Sequence, residues 1–279
     1  MRLIVLSLVL VSALIACQKS EIPPDAVPSA RASLEAAADT AAADAVFAEL
    51  SKRALDGWLR LSPVSATQIG EHEYDTELDD LSAAGRKRSI DFARTTLAEL
   101  DALDAATLSR ENQVDVAILR NQLKYGLWDA ETLQSWATDP QVYSGLAGGA
   151  IYNLMAREFA PLPERLRSAS ARMEKLPALF AQARTNLDPA RVPKIHAETV
   201  AKQNAGVLSI IEMFIAPHLQ DLPETDRARA EKAIETLKIA VAEHQLRLDN
   251  TLVPSANGDF RVGQDVYDQK LEFALLSSL

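Results

Sequence analysis

Cysteine is almost absent: Cys17 is the single one in 279 residues. One cysteine cannot close an internal disulfide, and a lone free thiol would be a liability in an exported protein. Aromatic residues are scarce, at 5%, whereas alanine and leucine abound, a balance that suits packed helices. An excess of positive charge is missing too. Lys and Arg number 29 against 39 Asp and Glu, a net charge of −10. That balance argues against a nucleic-acid surface and a polybasic membrane patch, both of which need clustered cations. No alternating pattern of strand type competes with the helical periods, and no repeat of solenoid length is present. The hydrophobic fraction of 48% is that of an ordinary globular core.

The longest apolar run stands at the start. Leu3 to Leu14 is interrupted only by Ser7 and Ser12, follows Arg2, and leads through Ile15 and Ala16 to Cys17. A run this short is the apolar region of a secretion signal rather than a spanning helix. Leu14-Ile15-Ala16-Cys17 resembles the lipobox of bacterial lipoproteins. The resemblance implies cleavage before Cys17, a diacylglyceryl thioether on its sulfur and an acyl group on its amine. Lipidation of Cys17 accounts for the cysteine count and gives a firm membrane anchor. Gln18, not an aspartate, follows; by resemblance to Gram-negative sorting rules this favours the periplasmic face of the outer membrane. The expected organisation is a signal peptide over 1–16, lipidated Cys17 with a flexible Pro-, Ser-, Ala- and Glu-rich tether over 17–40, and a helical domain over 41–279.

Within that domain the periods predict an all-α bundle of about six or seven long helices. Phe47, Leu50, Leu55, Trp58 and Leu59 recur at helical spacing, and Ser62-Pro63 ends that element. An acidic loop is expected from Val64 to Ala84, then a helix over about 85–103. Ser109 is placed to cap a third helix with Val114, Ile118, Tyr125 and Trp128 on one side. The stretch from Ala137 to Pro161 holds Pro140, Gly145, Gly148 and Gly149, and reads as a loop or irregular crossing. From Pro163 the stripe Leu166, Ala169, Met173, Leu176, Phe180, Ala183 and Leu187 marks a strong helix, which Pro177 should kink or break. Further helices are expected over 194–219 and 223–250, the latter with Ile234, Leu237, Val241 and Leu248 inward. A last helix from Gly263 carries Val266, Tyr267, Leu271, Phe273, Leu275 and Leu276; its open-ended apolar face predicts that more chain follows.

The chemistry-bearing patterns mostly fail. His72-Glu73 starts like a zinc-protease helix, but Thr76 stands where the second histidine is required, and the residues after His196 fail likewise. There is no G-x-S-x-G elbow and no Walker loop. Six acids fall between Glu71 and Asp80 without the order of an EF-hand, so the segment reads as a solvated acidic loop. His244 lies on an apolar stripe and reads as a hydrogen-bonded, partly buried histidine. Arg86-Lys87-Arg88 reads as the solvated start of a helix. Tyr143, Tyr152 and Arg157 border the glycine-rich stretch and are candidates to line a substrate cleft. No catalytic residue and no metal ligand is assigned.

An ordered set of segments carries a family resemblance. They are Ser62 to Gly70, His72 to Asp75, Asp139-Pro140 with Tyr143, Arg157 to Pro161, Asn186-Leu187, and Gly258 to Gly263 with Tyr267-Asp268. In this order they resemble the N-terminal half of the bacterial family called domain of unknown function 885. That family is similar to helical zinc metallopeptidases about twice this length, whose H-E-x-x-P-G-H motif lies in the C-terminal half. The resemblance implies a helical, exported protein that walls one side of a peptide-substrate cleft. It implies zinc in a full-length relative, and no cofactor held by this chain. Partners would be the membrane, through the lipid, and a peptide substrate or the missing C-terminal half, but no nucleic acid. The alternative is a non-catalytic helical binding or scaffold lipoprotein of the periplasm.

Overall fold

A computed structural model describes residues 30–276, so the signal peptide, Cys17 and the first part of the tether lie outside the described residues. Among them every regular element is helical, and nine helices are nine residues or longer. The first is α1 (Ala30–Leu61). It begins inside the segment expected to be a flexible tether, because the alanine-rich stretch after Ala30 has high intrinsic helix propensity. Pro63 ends it, and α2 (Pro63–Ile69) starts on that same proline, which suits a first helical turn. A loop leads to α3 (Ala83–Asp101), whose Ser82 Oγ accepts from Gly85 N at 3.1 Å. Ser109 caps α4 (Arg110–Trp128) as expected, accepting from Asn112 N at 3.4 Å. The side of α4 turned inward is not the expected one. Val116 and Leu123 are buried with Trp128, whereas Val114, Ile118 and Tyr125 are exposed.

After α5 (Ser135–Thr138) comes α6 (Gln141–Met155), in the stretch whose glycines predict a loop. Gly148 and Gly149 lie at packing contacts, whereas Gly145 faces open space. A Cβ on Gly149 would lie 3.2 Å from Val64 Cγ1, so α2 and α6 approach closely at that point. Ala147, Ala150, Ile151 and Leu154 complete a fully buried face. The centre of the molecule is α7 (Leu162–Asn186), which runs unbroken through Pro177. Its whole expected stripe is buried, from Leu166 to Leu187. A mid-helix proline costs ~3 kcal/mol; burial of six or more apolar side chains on one face exceeds that.

The expected helix over 194–219 is divided into α8 (Lys194–Gln203), α9 (Gly206–Phe214) and a short 3-10 turn. The break follows buried Asn204, whose amide donates to Val241 O and Gln245 Oε1, each at 3.0 Å. The partners of that amide belong to α10 (Glu224–Arg247), which packs against α7 with Leu237 and Val241 inward, as their spacing predicts. A π-turn and α11 (Val253–Ser255) lead to a turn in which Gly258 N donates to Val192 O at 3.0 Å. The last element, α12 (Gln264–Leu275), buries none of its residues. Phe273 reaches Tyr125 and Trp128 of α4, and Trp128 Nε1 donates to Gln269 Oε1 at 2.8 Å. The larger apolar core lies among α6, α7, α9 and α10; a smaller one joins α1, α3 and α4.

Candidate functional site

A buried arginine organises one wall of a cleft. Arg172 sits on α7 with its side chain wholly enclosed. Nε donates to Glu77 O at 2.9 Å and Nη1 to Ala150 O at 3.0 Å. Nη2 reaches Pro63 O at 3.0 Å, Thr67 Oγ1 at 2.7 Å and Tyr74 O at 3.3 Å. The guanidinium therefore ties α2 and the acidic loop to the core. Burial pushes its pKa down to about 10, while the nearby Asp75, Asp79 and Glu77 carboxylates oppose that shift, so it stays charged at neutral pH.

From Arg172 a chain of polar contacts leads outward to a histidine. Thr67 Oγ1, while accepting from Arg172, donates to Asp75 Oδ1 at 2.5 Å. Asp75 Oδ2 lies 3.0 Å from His72 Nδ1. A carboxylate can only accept, so Nδ1 is the donor of this contact and Nε2 is the ring nitrogen left outside it. The His72 ring stacks on Phe159 with centroids 3.6 Å apart and planes 9° from parallel. Both rings stand on the rim of a cleft of about 710 Å³ between the acidic loop, the Phe159–Ala160 segment and the first half of α7. The chemistry on offer is an oriented imidazole against an aromatic wall. Among the described residues, no hydroxyl lies within hydrogen-bond distance of His72.

Charged side chains ring the cleft and are largely paired. Arg229 of α10 grips Glu174 with two bonds of 2.7 and 2.6 Å, and this holds the Glu174 carboxyl below the usual carboxylate range. Lys175 Nζ meets Glu77 at 2.6 Å and lowers it in the same way. Arg167 meets Asp226 at 2.7 Å. The acidic loop is thus only in part the solvated stretch its composition suggests. Asp75 is buried, and Asp79 accepts from Val64 N at 3.0 Å at the start of α2, where burial raises its pKa. Asp80 is held by Ser82, Gln182 and Arg88.

The residues expected to line a cleft are placed apart. Tyr143 is buried, donating to Trp136 O at 2.6 Å and accepting from Asn186 Nδ2 at 2.9 Å. Tyr152 is exposed beside Phe214, and Arg157 Nη1 donates to Gln68 O at 3.0 Å from an exposed position. None of the three lines the 710 Å³ cleft. Arg86 is more than a solvated cation: it lies 3.6 Å over the Trp136 ring and donates to Leu81 O and Asn186 Oδ1. His244 is more deeply enclosed than expected. It is 4% exposed, stacks on Phe180 at 4.9 Å, and its Nδ1 has no partner. Burial, helped by the charge of Arg184, pushes its pKa down to about 4. Sequence reading missed Arg165 and Arg172. Their signal is spacing: they stand seven residues apart on the buried face of α7, among Leu166, Ala169, Met173 and Leu176.

Among the described residues no group of three or more His, Cys, Asp or Glu side chains converges as metal ligands, and no helix is long and apolar enough to cross a membrane. Fold and cleft together define an all-helical protein with a charge-lined groove beside an oriented His–Asp pair. The chain belongs to the family described as bacterial protein of unknown function, DUF885, whose profile matches residues 63–279. It is similar to a solved structure from Shewanella oneidensis, provisionally described as a lipoprotein of unknown function, with a TM-score of 0.76 and 30% identity. The match covers 81% of this chain and 42% of that one, so this chain spans less than half the length of that relative. No functionally curated protein matches the chain.

Proposed function

We propose that this chain is the N-terminal portion of an exported, lipid-anchored, metallopeptidase-like protein, and that it supplies one wall of a peptide-binding cleft without carrying the catalytic metal. The observation that carries this reading is the cleft itself: about 710 Å³, lined by a His–Phe stack and charged side chains, and built by the fixed Arg172–Thr67–Asp75–His72 chain. The 42% share of the Shewanella relative supports placing the missing parts of the site in sequence outside this chain. The described residues do not fit a zinc site, since no ligand cluster is assembled among them. Cys17 carries the lipid, and Gln18 directs the anchor to the periplasmic face of the outer membrane; the description of the relative as a lipoprotein supports the first part.

Detergent-solubilised mature chain, assayed on fluorogenic peptides with and without chelator, tests the central claim. The expected result is no hydrolysis and no stoichiometric zinc. Chelator-sensitive hydrolysis by this polypeptide alone would overturn it. Cys17→Ser should leave the precursor unlipidated by mass spectrometry and absent from outer-membrane fractions. The alternative of a non-catalytic binding lipoprotein is favoured by one observation, the lack of a hydroxyl partner for His72 among the described residues. It predicts peptide binding without turnover even in the longest natural product of the gene.

A further inference from the structure

Arg165 is the cation of the cleft that no carboxylate of the described residues neutralises. The residue is only 6% exposed. Nε donates to Ala160 O at 2.9 Å and Nη1 to Met155 O at 3.2 Å, both neutral carbonyls. The other cations of the cleft each meet an acid: Arg167 meets Asp226, Lys175 meets Glu77 and Arg229 meets Glu174. Even Arg172, behind the wall, lies 4.0 Å from Asp75. Among the described residues, Arg165 Nη2 has no partner, yet it is not sealed from solvent. Arg165 lines the cleft and is otherwise enclosed, so we take the accessible Nη2 to open there.

A guanidinium stripped of most of its water and left without a counter-charge is costly, and an anion that completes it recovers that cost. The remaining donor suits a carboxylate oxygen, in the charge-assisted geometry arginine favours. The adjoining wall is flat and apolar. Phe159, stacked on His72, precedes Ala160, whose carbonyl is itself an acceptor of Arg165, so ring and cation are fixed on one short segment. Glu77 and Glu174 are already neutralised; Glu73 and Glu164 have no ion pair, but both are exposed to water and salt, which weaken their repulsion without removing it.

We propose that the cleft recognises a carboxylate of its ligand through Arg165 Nη2, with an apolar side chain of the ligand against the His72–Phe159 pair. The carboxylate part stands on the Arg165 geometry alone; that the ligand is a peptide rests on the function proposed above. The test is calorimetric titration of the detergent-solubilised mature chain with four probes: the tripeptide Gly-Leu-Phe as free acid, its C-terminal amide, Gly-Asp-Phe amide, and phenylacetate. The free acid should bind, and its amide should bind roughly tenfold to a hundredfold more weakly, the range for loss of a charge-assisted hydrogen bond. Tight binding of the Asp-bearing amide instead would assign the site to a side-chain carboxylate. Arg165→Gln should abolish the preference for acid over amide. Because Arg165 also holds two carbonyls, Glu164→Gln is the independent variant. It removes an exposed like charge, and should tighten the acid a few-fold while leaving the amide unchanged. Equal binding of acid and amide would sink carboxylate recognition and leave the peptide cleft standing. Binding of phenylacetate but of no peptide would do the converse. Binding of none of the four would overturn the proposal.

Discussion

Arg172 shows how one residue converts a helix face into a site. Its three nitrogens hold carbonyls or hydroxyls from Pro63, Thr67, Tyr74, Glu77 and Ala150, so removing it would leave several buried acceptors and the Asp75 carboxylate without their shared cation. Arg172→Met should lower unfolding stability by about 3–5 kcal/mol, the range for removing one member of a buried charged network. Urea denaturation measures this, and a loss under 1 kcal/mol would contradict the hub role. His244 supplies a pH dependence. Its folded pKa, about 4, lies below the 6.5 of a free histidine. The unfolded chain therefore binds the proton more readily, and the stability from the neutral buried ring is complete above pH 6.5 and is lost as pH falls toward 4. The shift is worth up to about 3 kcal/mol. His244→Leu should flatten the acid side of the stability profile between those pH values, read from urea midpoints.

At the scale of elements, periodicity located the helices that carry a long, regular apolar stripe. The stripes of α7 and α10 are buried as their spacing implies, because large apolar side chains recur along those faces, even though Arg165, Arg172 and His244 are buried beside them. It failed where small residues do the packing. In α6 the glycines looked like breakers, yet Gly149 and Gly148 lie where Val64 and Ile210 come close, a demand visible only once the neighbours are known. It failed again in α4, where two apolar faces compete and the inner one is Val116 and Leu123. The turn after α11 shows the same need for closeness. A Cβ on Gly258 would fall 2.2 Å from Arg191 O, so Gly258→Ala must lift the turn off the α7–α8 link. A loss of about 1–3 kcal/mol is expected, the usual cost of overpacking. A thermal-melt series checks it, and an unchanged melting temperature would speak against the close approach.

For the molecule as a whole, the site was less legible than the fold. Tyr143 drew notice for its chemistry but is spent on holding Trp136 O and Asn186, a core role. The cleft instead depends on residues 72–77 and 159–175 folding against one another, a contact across about a hundred positions that no local pattern records. Stability is also uneven. Because α12 buries none of its residues and leans on α4 mainly through Phe273, Trp128–Gln269 and Asn121 Nδ2–Phe273 O, its amides should exchange with solvent far faster than those of α7. Hydrogen exchange read by mass spectrometry gives the ratio, and equal protection of α12 and α7 would contradict the weak docking.

That docking also equips the molecule with an optical reporter. Trp128 is 8% exposed, lies 6.0 Å from Tyr125 and 5.5 Å from Phe273, and has its indole N–H on a side chain of α12. Detachment of α12 would pass its indole from an apolar niche into water and shift its emission to longer wavelength. In a protein where Trp58 and Trp136 are replaced by phenylalanine, fluorescence colour alone would then follow the last helix in real time, without any label.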